Sequence, residues 1–217
     1  KQLVVGCMLD MRDLPVYAGM REAIRGGSIG QVHAISFEGQ HPLMYGRRPA
    51  WYFEPGMHGG VFNDIAIHAV DIIPWLTGLP VQSIIAARAW NATVQQHAHF
   101  QQCGHTMFTL ENGAGVLGDV SYLTPDSFAY SFPAYWRFTI WGSEGVLEGG
   151  VNSARLKLFR KGADQLEELE LPDGRPGGYL GSFLREVSRA PDNYLSQPEI
   201  RQASRTAMQM QRVADAT

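Results

Sequence analysis

Asp64, His68, Asp71 and Trp75 stand four, three and four residues apart. On a helix that spacing puts two carboxylates, an imidazole and an indole on one face. Val61, Phe62, Ile65, Ile67, Val70, Ile72 and Ile73 fill most of the remaining circumference. A helix apolar on nearly every other side is expected to be largely buried, so its polar stripe must meet a cleft, a partner or an internal polar network. Imidazole beside a carboxylate suits proton transfer, because histidine titrates near neutrality and a carboxylate sets its tautomer. An alcohol oxidised to a carbonyl must lose its hydroxyl proton as hydride leaves. A His68–Asp64 pair could accept that proton, or hold the hydroxyl for another base. From spacing alone, a structural polar network and a metal site stay open beside this reading.

The loop ahead of that helix carries Arg47, Arg48, Trp51, Tyr52 and His58. Trp51 or Tyr52 could stack on the apolar face of a sugar ring, and the arginines and His58 could bond hydroxyls or an acidic group. The same aromatics could instead clamp the loop. His97, His99, Cys103 and His105 form a cluster with metal-ligand chemistry, but no zinc-knuckle spacing accompanies them. Ordinary sheet residues are the expectation there, and no metal. Phe128, Tyr130, Phe132, Tyr135 and Trp136 make an aromatic loop-to-strand region, open to a role in the core, at a site entrance or against another subunit.

The elements that must position these groups follow from periodicity. Leu3 to Leu9 reads as a buried strand. Asp13 and Pro15 open a helix with Tyr17, Met20 and Ile24 on one side, stopped by Gly26-Gly27. Val32 to Glu38 is the next strand, and Gly60 to Leu76 a helix ended at Thr77-Gly78. Beyond it the period becomes two: Val81 to Ala92, Gly104 to Glu111, the Asn112-Gly113 turn, Ala114 to Tyr122, Tyr135 to Trp141, Val146 to Gly149, Arg155 to Arg160 and Gln165 to Leu171. A helix near Tyr179 to Arg189 follows. Ser196 with Glu199 then signs a capping box. The plan is α+β: a large, mostly antiparallel sheet of about six strands with helices on one face.

The 217 residues are 45% hydrophobic and 18% charged, ordinary for a globular chain. A formal charge of −3 gives no basic field for nucleic acid or an anionic membrane. No apolar run approaches the roughly 20 residues that span a bilayer. Cys7 and Cys103 are too few for a disulfide scaffold and suit a reducing cytoplasm. Lys1 to Leu9 has no cleavage signature, so no secretory signal is expected. An opening on a strand-like run without methionine points to missing upstream sequence.

Trp51, Gly59-Gly60, Asp64, His68, Asp71 and Trp75-Leu76-Thr77-Gly78 together resemble the signature of the glucose–fructose oxidoreductase / inositol dehydrogenase / MocA family. Three other places agree: Arg12 and Pro15 leading to Gly27-Ser28-Ile29-Gly30-Gln31-Val32, the Glu111-Asn112-Gly113-Ala114 hairpin, and Gly142-Ser143-Glu144-Gly145-Val146-Leu147. The resemblance implies an NAD- or NADP-dependent dehydrogenase of a sugar or cyclic polyol, with His68 as acid/base and Asp64 binding or polarising the substrate hydroxyl. Asp71 would be a structural or supporting partner, and Trp75 a supporting one. It implies that residues 1–30 are the last strand and helix of a Rossmann-like nucleotide domain. Residues 31–195 would be the substrate-binding sheet, whose outer face builds homodimers or homotetramers, and 196–217 a helix returning toward the nucleotide domain. Arg12 would lie near the seam, more as an anchor than as a weak cofactor contact. Ala66 stands where many members carry glycine. No Gly-x-Gly-x-x-Gly fingerprint follows a strand here, and the family's Glu-Lys-Pro segment is absent. The chain alone is therefore expected to bind no dinucleotide and to be inactive. A non-catalytic binding or oligomerisation module using the same fold is the alternative.

Overall fold

Alternating apolar residues build a single eight-stranded sheet in the order β2-β3-β4-β1-β5-β6-β7-β8. The computed structural model describes residues 3–192 and 194–217. The strands are β1 Val32–Pro42, β2 Val81–Trp90, β3 Cys103–Leu110, β4 Gly115–Thr124, β5 Arg137–Gly142, β6 Gly145–Gly150, β7 Leu156–Arg160 and β8 Glu167–Leu169. The pairing is antiparallel except between β1 and β4, which run parallel at the centre. A parallel pair needs a long crossover, and here it contains the key helix and the β2–β3 hairpin. The sheet is wider than the six strands expected from sequence, and short β8 completes one edge.

One face of the sheet is the core. Ile35 and Phe37 on β1, Phe108 on β3, Val116 and Val120 on β4, Phe138 and Ile140 on β5 and Leu147 on β6 are all buried. Each such side chain contributes roughly 1.5–3 kcal/mol of hydrophobic stabilisation. Helix α1 (Pro15–Arg25), α2 (Ile67–Thr77) and α4 (Gln197–Asp215) cover this face. Pro15 sits at the first turn of α1, where its missing N–H costs nothing. The capping box of Ser196 and Glu199 starts α4 as expected. A fourth helix, α3 (Gly178–Val187), lies against the 3-10 turn Asp10–Asp13. The opposite sheet face is bare, with Met107, Leu117, Trp141 and Phe159 exposed. No helix among the described residues is long and apolar enough to cross a membrane.

Two local expectations change. The stretch from Leu3 to Leu9 is extended but pairs with no strand, and Leu3, Val5 and Met8 are exposed rather than buried. A strand requires a neighbour for its N–H and C=O groups, and among the described residues it has none. The helix expected from Gly60 begins instead with a π-helical turn, Phe62–Ala66, in which the Ile67 amide reaches back to the Phe62 carbonyl. Gly60 enters it at φ 92°. The positive φ favours glycine there, and a β-carbon would also have to displace the amide end of the Gln211 side chain of α4.

Candidate active site

The π turn re-aims the polar stripe. Asp64 lies within this turn and His68, Asp71 and Trp75 beyond it, and the four residues divide among three sets of partners. Asp64 turns toward the preceding loop and β4. Its Oδ2 accepts the Tyr52 phenol at 2.6 Å and the Tyr122 phenol, and faces His58 Nε2 at 3.5 Å. His58 Nε2 also lies 3.2 Å from the Tyr122 hydroxyl. Burial works against the Asp64 charge, but the hydrogen bonds from His58, Tyr122 and Tyr52 overcome it and hold the carboxyl well below the usual carboxylate range. Tyr52 and Tyr122 are pushed above the usual phenol range by burial and by the same carboxylate. With 43% of its side chain exposed, against 8% for His58, Asp64 sits at the mouth of this cluster. Tyr52, His58, Gly59, Gly60 and Gln211 line a cavity of about 230 Å³ behind it.

His68 makes no hydrogen bond to Asp64 or to any other described residue. Its ring stands 5.9 Å from Trp136, and its Nδ1 is buried without a partner. Burial lowers its pKa, partly offset by Asp10 and Asp64, so the neutral imidazole dominates at neutral pH. Asp64 therefore acts on His68 through space, whereas the spacing suggested a bonded pair. Across the Trp136 ring lies His41, 5.7 Å from it and 4.8 Å from Tyr135. His41 Nε2 is likewise buried and unpaired. Burial, with His68 nearby, lowers the His41 pKa to about 3. Buried polar atoms are rarely left without a partner in folded proteins, so two imidazole nitrogens orphaned around one indole mark a place for polar ligand groups.

Asp71 and Trp75 serve another cluster. Arg12 is clamped to Asp71 by bonds of 2.6 and 3.0 Å, and reaches Glu199 at 2.9 Å and the Tyr194 carbonyl at 2.8 Å. Burial opposes the guanidinium charge, but Asp71 and Glu199 more than restore it. Arg21 caps the Trp75 ring at 4.4 Å. Arg12 thus commits four of its five N–H donors to anchoring the Asp10–Asp13 turn to α2 and α4.

In the loop, Arg48 bonds the Leu43 carbonyl at 3.2 Å and lies over the Tyr52 ring at 4.9 Å. Trp51 is exposed beside Tyr52, and Arg47 points outward. The histidines downstream hold this loop in place. His97 meets the Tyr45 hydroxyl at 3.1 Å and stacks on Phe53, and His99 meets the Phe53 carbonyl at 2.8 Å. His105 lies on the bare sheet face near Asp119, and Cys103 is buried. Among the described residues no three His, Cys, Asp or Glu side chains gather as a metal set.

Tyr122 and His41 were not singled out in the sequence, although a signal exists for each. Both fall on the inward parity of their strands, Tyr122 after Val116 and Val120, His41 after Ile35 and Phe37. A polar ring at an inward position must find a partner for its polar atoms.

The fold recurs in known structures. An oxidoreductase structure from Thermotoga maritima superposes with a TM-score of 0.83 at 23% identity, covering 98% of this chain and 62% of that one. UDP-N-acetylglucosamine 3-dehydrogenase from Acidithiobacillus ferrooxidans gives 0.71 at 16% identity, covering 99% and 62%. Aldose-aldose oxidoreductase from Caulobacter crescentus gives 0.72 at 15% identity, covering 100% and 62%. The chain thus spans 62% of the length of each of these structures, and at such identities the likeness concerns the fold. No curated protein sequence matches the chain. The family model described as the GFO/IDH/MocA C-terminal domain matches residues 17–148. With most of its length matched by that model, the chain belongs to the glucose–fructose oxidoreductase / inositol dehydrogenase / MocA family.

Proposed function

We infer that this chain is the substrate-facing and assembly portion of an NAD(P)-dependent oxidoreductase acting on a hydroxyl of a sugar or cyclic polyol. The observation that carries the reading is an ionised carboxylate, Asp64, within electrostatic range of His68 and His41, whose orphan nitrogens flank Trp136. An acceptor-only carboxylate and neutral imidazoles suit a neutral ligand dense in hydroxyls. We assign substrate contacts to Trp51, Tyr52, His58, Arg47 and Arg48. The names of the related enzymes, which act on a nucleotide sugar and on aldoses, support the class.

The residues present do not form a nucleotide site. They include no strand-linked glycine fingerprint for a pyrophosphate, so we assign the cofactor to sequence outside this chain and residues 1–30 to the seam with it. Residues 31–195 then form the substrate sheet, and 196–217 the closing helix. Nicotinamide, when bound, supplies the hydride acceptor. This chain's part is to hold the hydroxyl on Asp64 and to take its proton on neutral His68. The test is nicotinamide reduction by the full-length protein, assayed with aldoses and cyclic polyols beside the chain alone. Turnover in the full-length protein that disappears in Asp64→Asn is expected. Turnover untouched by that change would place the chemistry elsewhere.

The bare sheet face supports the assembly half of the reading. A groove of about 600 Å³ crosses it, lined in part by Ser36, Arg88, His105, Met107 and Leu117. A homodimer or homotetramer built there would bury Leu117, which is 59% exposed in the single chain. Leu117→Glu should therefore lower the mass measured by sedimentation. An unchanged oligomer would move the interface off this face.

A further inference from the structure

Asp64 is held unevenly. Oδ2 receives Tyr52, receives Tyr122 and faces His58, and the two phenols are themselves 2.8 Å apart. None of the described residues donates to Oδ1. The three groups come from separate elements: Tyr52 from the 3-10 turn Ala50–Phe53, His58 from the following loop and Tyr122 from β4. Tyr122 is the most deeply placed, 3% exposed, and lies on the strand at the sheet's centre.

We propose that Tyr122, backed by Tyr52 and His58, is a positioning residue that fixes Asp64 through Oδ2 and presents Oδ1 as the acceptor for a ligand hydroxyl, leaving His68 to take the proton. The ligand half of this statement rests on the alcohol-oxidising reading above; the fixing of the carboxylate does not. A carboxylate bound at one oxygen by phenol donors is oriented and stays acceptor-only. It is then a poor base, and the hydroxyl proton must pass to another group. We assign it to His68, whose buried Nδ1 has no partner within the protein. In the balanced step the alcohol O–H bond would break as an N–H bond forms on His68, and the C–H electron pair would pass as hydride to a nicotinamide supplied outside this chain. Tyr52, Tyr122 and His58 face the carboxylate directly. The carboxylate in turn acts on His68 and His41 at longer range. Arg48 lies over the Tyr52 ring, and Asp10 acts on His68 from the other side.

The experiment is a carboxyl ¹³C titration of the full-length protein labelled at aspartate, with Asp64→Asn identifying the resonance. In the wild type Asp64 should stay ionised through the ordinary aspartate range. In Tyr122→Phe its midpoint should rise by roughly 1–2 pH units, the share of one donor to a charged acceptor. Tyr52→Phe should move it in the same direction, and circular dichroism would confirm that both variants are folded. Ring-conserving changes without any movement of the titration would overturn the positioning role whatever the activity. With an accepted alcohol substrate, KM in Tyr122→Phe should rise about tenfold with less change in kcat. A wild-type protein that oxidises no alcohol with either nicotinamide would overturn the hydroxyl-acceptor half and the functional reading together. The titration decides the fixing of Asp64 on its own.

Discussion

Replacing His68 by alanine in the full-length protein should lower kcat by about 10²–10⁴-fold, the usual worth of a positioned general base. The imidazole is neutral at working pH because burial disfavours its cation, and its unpaired Nδ1 leaves nothing to be displaced before a proton arrives. The pH profile carries the sign. A lowered pKa keeps the base form available as pH falls, so the acid limb of kcat/KM should lie below the ordinary histidine value of 6.5. The limb should vanish from the residual activity of His68→Ala. Because Nδ1 makes no hydrogen bond within the protein, the substitution should cost only the packing of the ring against Trp136 and leave the protein folded. An acid limb unchanged in the residual activity would point to a structural histidine instead.

The second large effect concerns stability. Arg12→Met should destabilise the chain by about 3–5 kcal/mol, the cost of leaving one member of a buried ion pair alone. For a chain of this size that corresponds to a loss of roughly 10 °C in Tm. Both side chains of the Arg12–Asp71 pair are 2% exposed. Burial already pulls the Asp71 carboxyl upward, so without Arg12 it must protonate or sit unpaired. The same guanidinium holds Glu199 and the Tyr194 carbonyl; its loss therefore loosens the Asp10–Asp13 turn, α2 and α4 at once. Arg12→Met combined with Asp71→Leu should recover much of the stability, since two apolar groups leave no charge behind. Urea unfolding of the wild type and both variants measures this. A loss for Arg12→Met within about 1 kcal/mol, the range of exposed pairs, would refute the anchor.

The sequence alone determined the class of the fold. Period-two runs, the Asn112-Gly113 turn, Gly78 behind α2 and the Ser196/Glu199 box are local signals, each set by backbone geometry within a few residues. The family could also be read from the chain, because its motif residues lie along one helix and its entry. What lay beyond sequence were decisions made by contact between distant segments. Whether Leu3 to Leu9 pairs depends on a neighbouring strand, and the chain offers none among its described residues. Which way Asp64 points depends on a π turn that no helical spacing announces, and on phenols 12 and 58 positions away along the chain. That Asp71 belongs to Arg12 rather than to the site depends on a bond across 59 residues. Periodicity reports which face of an element is inward; only the packed tertiary structure decides which inward polar atoms meet, because each must find its partner among groups that sequence distance does not relate.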